Sequence, residues 1–216
     1  RIYCSERTGK HGNQTLAEAV QNSCNPAFMM IGQRLGAEKF YDYFEAFGMT
    51  EKTGIDLPGE QIGLVWDRDY LTSLEGYLSL ATASFGQRFQ ITPIQMITAF
   101  AATINGGKLL QPYVVQTVTA ADGTVVENTE PTVVRQVVSQ ETSDKCREIL
   151  TSVVMAEKGT GKNARQAGYT IGGKTGTSET TVPGEVVVSF MGFAPADDPQ
   201  ILVLLAYNTP ARSAEG

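Results

Sequence analysis

The segment Gly172-Gly173-Lys174-Thr175-Gly176-Thr177 places a cation and two hydroxyls on a glycine-rich backbone, which suits the binding of an anion. Counted forward from Gly168, the residues fit the Gly-x-x-x-x-Gly-Lys-Thr spacing of a phosphate-binding loop. Counted from Lys174, they fit the Lys-Thr-Gly element that serine acyl-transferases combine with a Ser-x-x-Lys element and a Ser-x-Asn type of triplet. The first interpretation predicts a nucleotide-binding protein, and the second predicts an acyl-transfer enzyme.

The residues around Lys174 favour acyl transfer over nucleotide binding. A phosphate loop opens a helix whose N-terminus faces the phosphates. The segment 176–184 instead contains Gly, Pro and several Thr residues, which are poor helix formers. The later apolar segment 201–207 is followed by Asn208 and not by the aspartate that would help to hold magnesium. A strand end with a solvated lysine is the third interpretation.

Composition limits the classes of protein and partner. The 216 residues are 42% hydrophobic and 19% charged, which is typical of a globular protein with one substantial domain or two small ones. The net charge is −6 and no basic cluster occurs, so a nucleic acid is not expected as a partner. The three cysteines and the single histidine, His11, lack the spacing of a metal site, and no cofactor is predicted. No apolar run is long enough to predict a membrane span.

Helix signals place a second set of polar residues at a corner. Thr15-Leu16-Ala17-Glu18 is a capping box that opens a short helix ending near Asn22. Asn25-Pro26 then opens a second helix, since Pro is favoured at the first helical position. Ser23-Cys24-Asn25 therefore lies between two helices, where its side chains can project into a cleft.

The remaining patterns predict an α+β fold in which an antiparallel sheet packs against helices. Thr92-Pro93-Ile94-Gln95 opens a helix that is apolar on nearly every face and should therefore be buried. Residues 112–127 alternate and turn at Ala121-Asp122-Gly123, as a β-hairpin does. Further helices are predicted at 26–36, 37–47 and 142–157, and strands at 169–175, 186–193 and 201–207. This order divides the chain into a helical part at about 12–108, the hairpin at about 112–127, and a helix and sheet part at about 133–208.

Several short motifs follow one another along the whole chain. They include His11-Gly12, Asn22-Ser23-Cys24-Asn25, Thr53-Gly54-Ile55-Asp56-Leu57-Pro58-Gly59-Glu60, Ser84-Phe85-Gly86-Gln87, Thr92-Pro93-Ile94-Gln95, Asn105-Gly106-Gly107 and Gly172-Gly173-Lys174-Thr175-Gly176-Thr177. Their order resembles the transpeptidase domain of class B penicillin-binding proteins of the division or sporulation type. This resemblance implies a fold similar to serine β-lactamases, with a helical subdomain beside the sheet.

The resemblance also implies a reaction, in which a serine attacks the D-alanyl-D-alanine end of a peptidoglycan stem peptide and D-alanine leaves. An amine of a neighbouring stem peptide then takes the acyl group, which makes the protein a D,D-transpeptidase. In this family Ser23 would relay the proton, Asn25 would hydrogen-bond the substrate amide, and Lys174 would supply positive charge.

Substrate binding and partners follow from the same resemblance. Thr175, Gly176 and Thr177 would bind the substrate carboxylate, and the Thr177 N–H would form half of the oxyanion hole. The implied partners are stem peptides, β-lactam antibiotics and a membrane glycosyltransferase, at the extracytoplasmic face of the bacterial membrane. A penicillin-recognising sensor on the same fold is the alternative function.

The nucleophile element of the family is absent from this sequence, because no serine is followed three residues later by a lysine. The resemblance places that element upstream of Arg1, and it places the family's terminal helix after Asn208. We therefore expect a segment of a longer protein, truncated at both ends, and we predict that the isolated chain is inactive.

Two cysteines form a candidate redox pair. Cys24 lies inside the Ser23–Asn25 triplet, and Cys4 lies shortly before the same helix. Disulfides persist outside the membrane, so these two residues are predicted to pair there. The bond would pull on the Ser23 corner and switch the activity off. The alternative is a buried, inert Cys24 with a free Cys4.

Overall fold

The computed structural model of the chain describes residues 11–209. Helices occupy most of the first half and strands most of the second, so the fold is α+β, as predicted. The helices are α1 (Leu16–Gln21), α2 (Asn25–Leu35), α3 (Ala37–Ala46), α4 (Arg68–Thr72), α5 (Tyr77–Ala83), α6 (Pro93–Ile104) and α7 (Gln140–Met155). The strands are β1 (Lys108–Gln111), β2 (Thr117–Thr119), β3 (Val125–Asn128), β4 (Thr132–Gln136), β5 (Gly172–Glu179), β6 (Val186–Ala194) and β7 (Ile201–Asn208).

The predicted capping box opens α1. Thr15 accepts a hydrogen bond from the Glu18 N–H, and the Glu18 carboxylate accepts one from the Thr15 N–H at 2.7 Å. This backbone hydrogen bond is the main reason why the pKa of Glu18 is lowered. α2 begins at Asn25 with Pro26 in its first turn, which confirms the predicted corner between the two helices.

The helical part has its own apolar cluster, built from Tyr41 of α3, Leu71 of α4 and Leu80 of α5, with Trp66 packed against them. Helices α4 and α5 were not predicted from the sequence. They are five and seven residues long, so each is too short to show the repeat of an amphipathic helix. Their existence depends on burial against α3.

α6 is buried, as its apolar residues predict, and its one long polar side chain organises the loop around it. Gln95 is only 1% exposed. Its Oε1 accepts a hydrogen bond from the Gly63 N–H at 3.0 Å, and its Nε2 donates to the carbonyl oxygens of Glu51 at 2.8 Å and Met49 at 3.2 Å. Oε1 also accepts from the Thr92 N–H at 3.0 Å, which completes the helix cap. The loop 49–63 is therefore tied to the centre of the domain.

The three-stranded sheet has the order β5-β6-β7, and all of its pairs are antiparallel. Phe193 of β6 is 1% exposed and packs with Ile104 of α6 and Ala196, while Leu150 of α7 and Leu202 of β7 close the cluster. The sheet thus packs against α6 and α7, and none of the helices within residues 11–209 is long and apolar enough to cross a membrane.

The boundaries of one strand were wrong. The segment predicted at 169–175 forms a strand at Gly172–Glu179, so the Lys-Thr-Gly residues lie inside the strand and not at its end. Pairing with the β-branched residues Val186, Val187 and Val188 of β6 extends β5 beyond its glycines. The hairpin of β2 and β3 is confirmed, whereas the pairing of β1 with β4 was not predicted.

Candidate active site

The Ser23 corner is held in a conformation that a serine rarely adopts. Ser23 has a φ of 48°, in the left-handed region, which costs about 1–2 kcal/mol for a residue with a side chain. Its N–H donates to the Val20 carbonyl oxygen at 3.1 Å, and the Cys24 N–H donates to that of Ala19 at 3.0 Å. Cys24 is 3% exposed, so its side chain anchors the corner in the interior. Strain of this kind persists only where the surroundings impose it, and it is often found at functional sites.

Lys174 of β5 reaches this corner from the other half of the chain. Its Nζ donates at 2.8 Å to Ser23 Oγ, which is 151 residues away in sequence, and at 2.8 Å to the Thr175 carbonyl oxygen. Burial of the ammonium lowers the pKa of Lys174 to about 8. The lysine is therefore mostly protonated at neutral pH, and it places a cation beside the Ser23 hydroxyl.

The outer edge of β5 presents backbone groups on the side away from β6. The Thr177 carbonyl oxygen accepts a hydrogen bond from Gln87 Nε2 at 3.3 Å, so it does not point toward β6. In an antiparallel pair the N–H and C=O of one residue point to the same side, so the Thr177 N–H also points away from β6. Next to it, a Cβ on Gly176 would lie 2.6 Å from Ser189 Oγ, which favours glycine there.

The threonine hydroxyl of the Lys-Thr-Gly element has a partner outside the strand. Thr175 Oγ1 donates to Thr160 Oγ1 at 3.2 Å, and the Thr160 N–H donates to the Gln21 carbonyl oxygen at 3.3 Å. Thr160 was not assigned to the site from the sequence. Gln87 was noted only as part of a family motif. No local pattern marks either residue, because both act through residues far away in the sequence.

The structure thus brings Ser23 and Lys174 together, and Thr175, Gly176 and Thr177 follow Lys174 on the same strand. Asn25 is half-buried at the start of α2, two residues from Ser23. None of the hydrogen bonds described within residues 11–209 uses the Asn25 side chain. The predicted pair with Cys4 lies outside the described residues.

The phosphate-loop interpretation is wrong. A phosphate loop requires a helix after the Lys-Thr pair. Here Lys174 and Thr175 are the third and fourth residues of an eight-residue strand that continues to Glu179. In the part of the chain up to residue 209, strands and no helix follow that pair, and the Lys174 ammonium donates to Ser23 Oγ.

An α+β fold with a Ser-x-Asn corner facing a Lys-Thr-Gly strand has two of the elements that define the penicillin-reactive serine acyl-transferases. The chain matches the family model described as penicillin binding protein transpeptidase domain over residues 3–216, and it belongs to that family.

Relatives and solved structures agree with this assignment. The chain is 44% identical over 216 residues to stage V sporulation protein D of Bacillus subtilis, covering 97% of this chain and 32% of that protein. It is 30% identical over 222 residues to the peptidoglycan D,D-transpeptidase MrdA of Acinetobacter baumannii, covering 94% of this chain and 33% of that protein. The chain therefore spans about a third of the length of these curated relatives.

Among solved structures, the D,D-transpeptidase domain of a peptidoglycan glycosyltransferase from Eggerthella lenta superimposes with a TM-score of 0.85 at 30% identity, covering 94% of this chain and 50% of that one. Penicillin-binding protein 3 of Mycobacterium tuberculosis, complexed with ampicillin, superimposes with a TM-score of 0.85 at 32% identity. That alignment covers 95% of this chain and 47% of the other.

Proposed function

We propose that this chain is part of a peptidoglycan D,D-transpeptidase, which cross-links stem peptides by serine acyl transfer and is acylated by β-lactams. The observation that carries the proposal is the 2.8 Å hydrogen bond from Lys174 Nζ to Ser23 Oγ. It joins the Ser-x-Asn and Lys-Thr-Gly elements across the cleft, in a chain whose relatives include a protein named as a D,D-transpeptidase.

Each residue of the site has a role in this reaction. The nucleophilic serine, supplied by a Ser-x-x-Lys element that this sequence does not contain, attacks the carbonyl carbon of the penultimate D-alanine. The bond from that carbon to the terminal D-alanine nitrogen breaks, and Ser23 relays the proton to the departing amine. The Asn25 amide binds the substrate backbone. The amine of a second stem peptide then displaces the serine and restores its proton.

A positive charge and a backbone N–H would stabilise the negative charges of the substrate carboxylate and of the oxyanion. The Lys174 ammonium lies where it can attract the terminal carboxylate of the substrate, which the hydroxyls of Thr175 and Thr177 would also bind. The Thr177 N–H points away from β6, as an oxyanion-hole donor on this strand must. A β-lactam, with its own carboxylate and strained amide, would occupy the same positions.

The site of action and the partner follow from the same proposal. Peptidoglycan is assembled outside the cytoplasmic membrane, so the complete protein would work on the extracytoplasmic face. A membrane glycosyltransferase would be its partner, because glycan strands must be made before they are cross-linked.

A fluorescent penicillin tests the proposal on two samples. The complete protein should form a covalent adduct that excess unlabelled drug abolishes, and it should release D-alanine from a stem-peptide substrate. The isolated 216-residue chain should form no adduct, because it has no Ser-x-x-Lys element. Labelling of the complete protein without D-alanine release would instead indicate a penicillin-recognising sensor. A labelled isolated chain would show that the nucleophile has been misplaced.

A further inference from the structure

The connector Gly159-Thr160-Gly161 lies between α7 and β5, and it touches both halves of the site. Thr160 donates its N–H to the carbonyl oxygen of Gln21, the last residue of α1, at 3.3 Å. On its other side, Thr160 Oγ1 accepts a hydrogen bond from Thr175 Oγ1 at 3.2 Å. One residue therefore links the helix that leads into the Ser23 corner to the strand that carries Lys174.

Backbone hydrogen bonds hold the connector against α7 on both sides of Thr160. The Gly159 N–H donates to the Ala156 carbonyl oxygen at 3.0 Å, and the Gly161 N–H donates to that of Val153 at 3.0 Å. A Cβ on Gly159 would lie 2.1 Å from the Val153 carbonyl oxygen, so only glycine allows the chain to approach α7 this closely. Because the backbone is held on both sides of Thr160, the position of its hydroxyl is set by α7.

A second contact holds Gln21, the residue of α1 that accepts the hydrogen bond from the Thr160 N–H. Gln21 Nε2 donates to Ser152 Oγ of α7 at 2.8 Å, so α1, α7 and the connector are tied to one another. The backbone of Thr160 makes the link to α1, and only its hydroxyl makes the link to Thr175. Removal of the hydroxyl would thus leave the corner in place and release Thr175 alone.

We propose that Thr160 is a positioning residue, which orients the Thr175 hydroxyl toward the carboxylate of the bound stem peptide or β-lactam. This inference rests on the proposed function. A hydroxyl has one proton to donate and accepts hydrogen bonds through two lone pairs. In this structure Thr175 donates to Thr160. When a carboxylate binds, the Thr175 proton turns to the anion and Thr160 donates to Thr175, so that the two hydroxyls form a chain that ends on the negative charge.

Such a chain strengthens the bond to the anion, because each donor polarises the next. Thr160 is exposed, so its side chain contributes little to the core, and its effect should fall on ligand binding and not on folding. The bond between Thr160 and Thr175 joins two neutral hydroxyls, and the loss of one such bond corresponds to a change of about three- to tenfold in affinity.

The test is stopped-flow acylation of the complete protein by a carboxylate-bearing penicillin, analysed for the non-covalent dissociation constant and the acylation rate constant. Thr160→Val should raise the dissociation constant about three- to tenfold, with a much smaller change in the rate constant. Thr160→Ser should restore binding. Thr119→Val, at an exposed threonine of β2, is the matched control and should have no effect.

A double-substitution cycle shows whether Thr160 acts through Thr175. In a Thr175→Val background, Thr160→Val should have no further effect, because the orienting partner is already lost. Additive effects of the two substitutions on the dissociation constant would overturn the inference. An unchanged dissociation constant in Thr160→Val would also overturn it, when the wild type itself is acylated. A wild type that is never acylated would overturn the proposed function and this inference with it. If Thr160→Val does not fold, Thr160→Ala replaces it and should weaken binding, whereas Thr160→Ser should not. Equal binding by these two variants would overturn the inference.

Discussion

Replacement of Lys174 by Met in the complete protein removes the ammonium and keeps an unbranched side chain that fills the same space. The substitution breaks the hydrogen bonds from Nζ to Ser23 Oγ and to the Thr175 carbonyl oxygen, both 2.8 Å long. Loss of one preorganised donor at a site of developing negative charge typically costs about 2.7–4 kcal/mol in the reaction barrier. We therefore expect the rate of penicillin acylation to fall by about 10²–10³-fold.

The free energy of unfolding of the Met variant should, in contrast, be equal to that of the wild type or slightly higher. Burial lowers the pKa of Lys174 from 10.5 to about 8, which means that the folded state disfavours the charged form. At about 1.4 kcal/mol for each pKa unit, the ammonium destabilises the fold by about 3 kcal/mol at neutral pH. The two lost hydrogen bonds contribute about 1 kcal/mol each, so the Met variant should be slightly more stable than the wild type.

The pH dependence gives this prediction a second signature. Between pH 8 and pH 10.5 the unfolded state binds a proton at Lys174 that the folded state has released, so the stability contributed by this residue rises with pH. Below pH 8 both states are protonated and the destabilisation is complete. The Met variant has no such group, so its stability relative to the wild type should fall by about 3 kcal/mol as the pH rises from 8 to 10.5.

Stopped-flow acylation with a fluorescent penicillin measures the first effect, and urea unfolding at pH values on both sides of this range measures the second. Lys158→Met, at an exposed lysine after α7, is the matched control and should leave both quantities unchanged. Wild-type acylation in the Lys174→Met variant would refute a role in the reaction. A loss of several kcal/mol in stability would show that the lysine is instead a structural residue.

Three further predictions concern the buried Gln95, the charge of Lys174 in ligand binding, and the pair of cysteines. Gln95→Leu should destabilise the complete protein by about 3–5 kcal/mol in urea unfolding, because four backbone groups would lose their hydrogen-bond partner. The control, Gln116→Leu at an exposed position, should change the stability by less than about 0.5 kcal/mol. Equal effects of the two substitutions would contradict the role of Gln95. Binding of a carboxylate-bearing penicillin should weaken above about pH 8 as Lys174 loses its charge, and a dissociation constant that stays constant to pH 10 would show that this charge does not hold the carboxylate. Thiol trapping of the oxidised complete protein, followed by mass spectrometry, should find Cys4 bonded to Cys24; alkylation of both thiols would dismiss the redox pair.

Local features of the fold could be predicted because their partners are close in the sequence. The capping boxes at Thr15 and Thr92 each use a side chain three residues away, so the spacing of residue types was sufficient to place the starts of α1 and α6. The corner at Ser23 followed from two adjacent helix signals. The family was also evident from the sequence, because the order of its motifs is a property of the chain itself.

The candidate site depends on contacts that no local pattern contains. Lys174 meets Ser23 across 151 residues, and the same lysine could have been a solvated strand end or part of a phosphate loop until β5 was seen to run through it. Gln87 and Thr160 gain their roles from β5, which reaches them only when α7 and the sheet pack together.

The family, the helix caps and the residue types of the site follow from the order of residues along the chain. Packing of the folded chain sets which face of β5 meets the Ser23 corner, how far Lys174 is buried, and how α7 holds the glycine-rich connector around Thr160. The physical reason is that hydrogen bonds over three or four residues are set by spacing along the chain. Long-range hydrogen bonds and the desolvation that shifts the pKa of Lys174 exist only after separate elements have packed against one another.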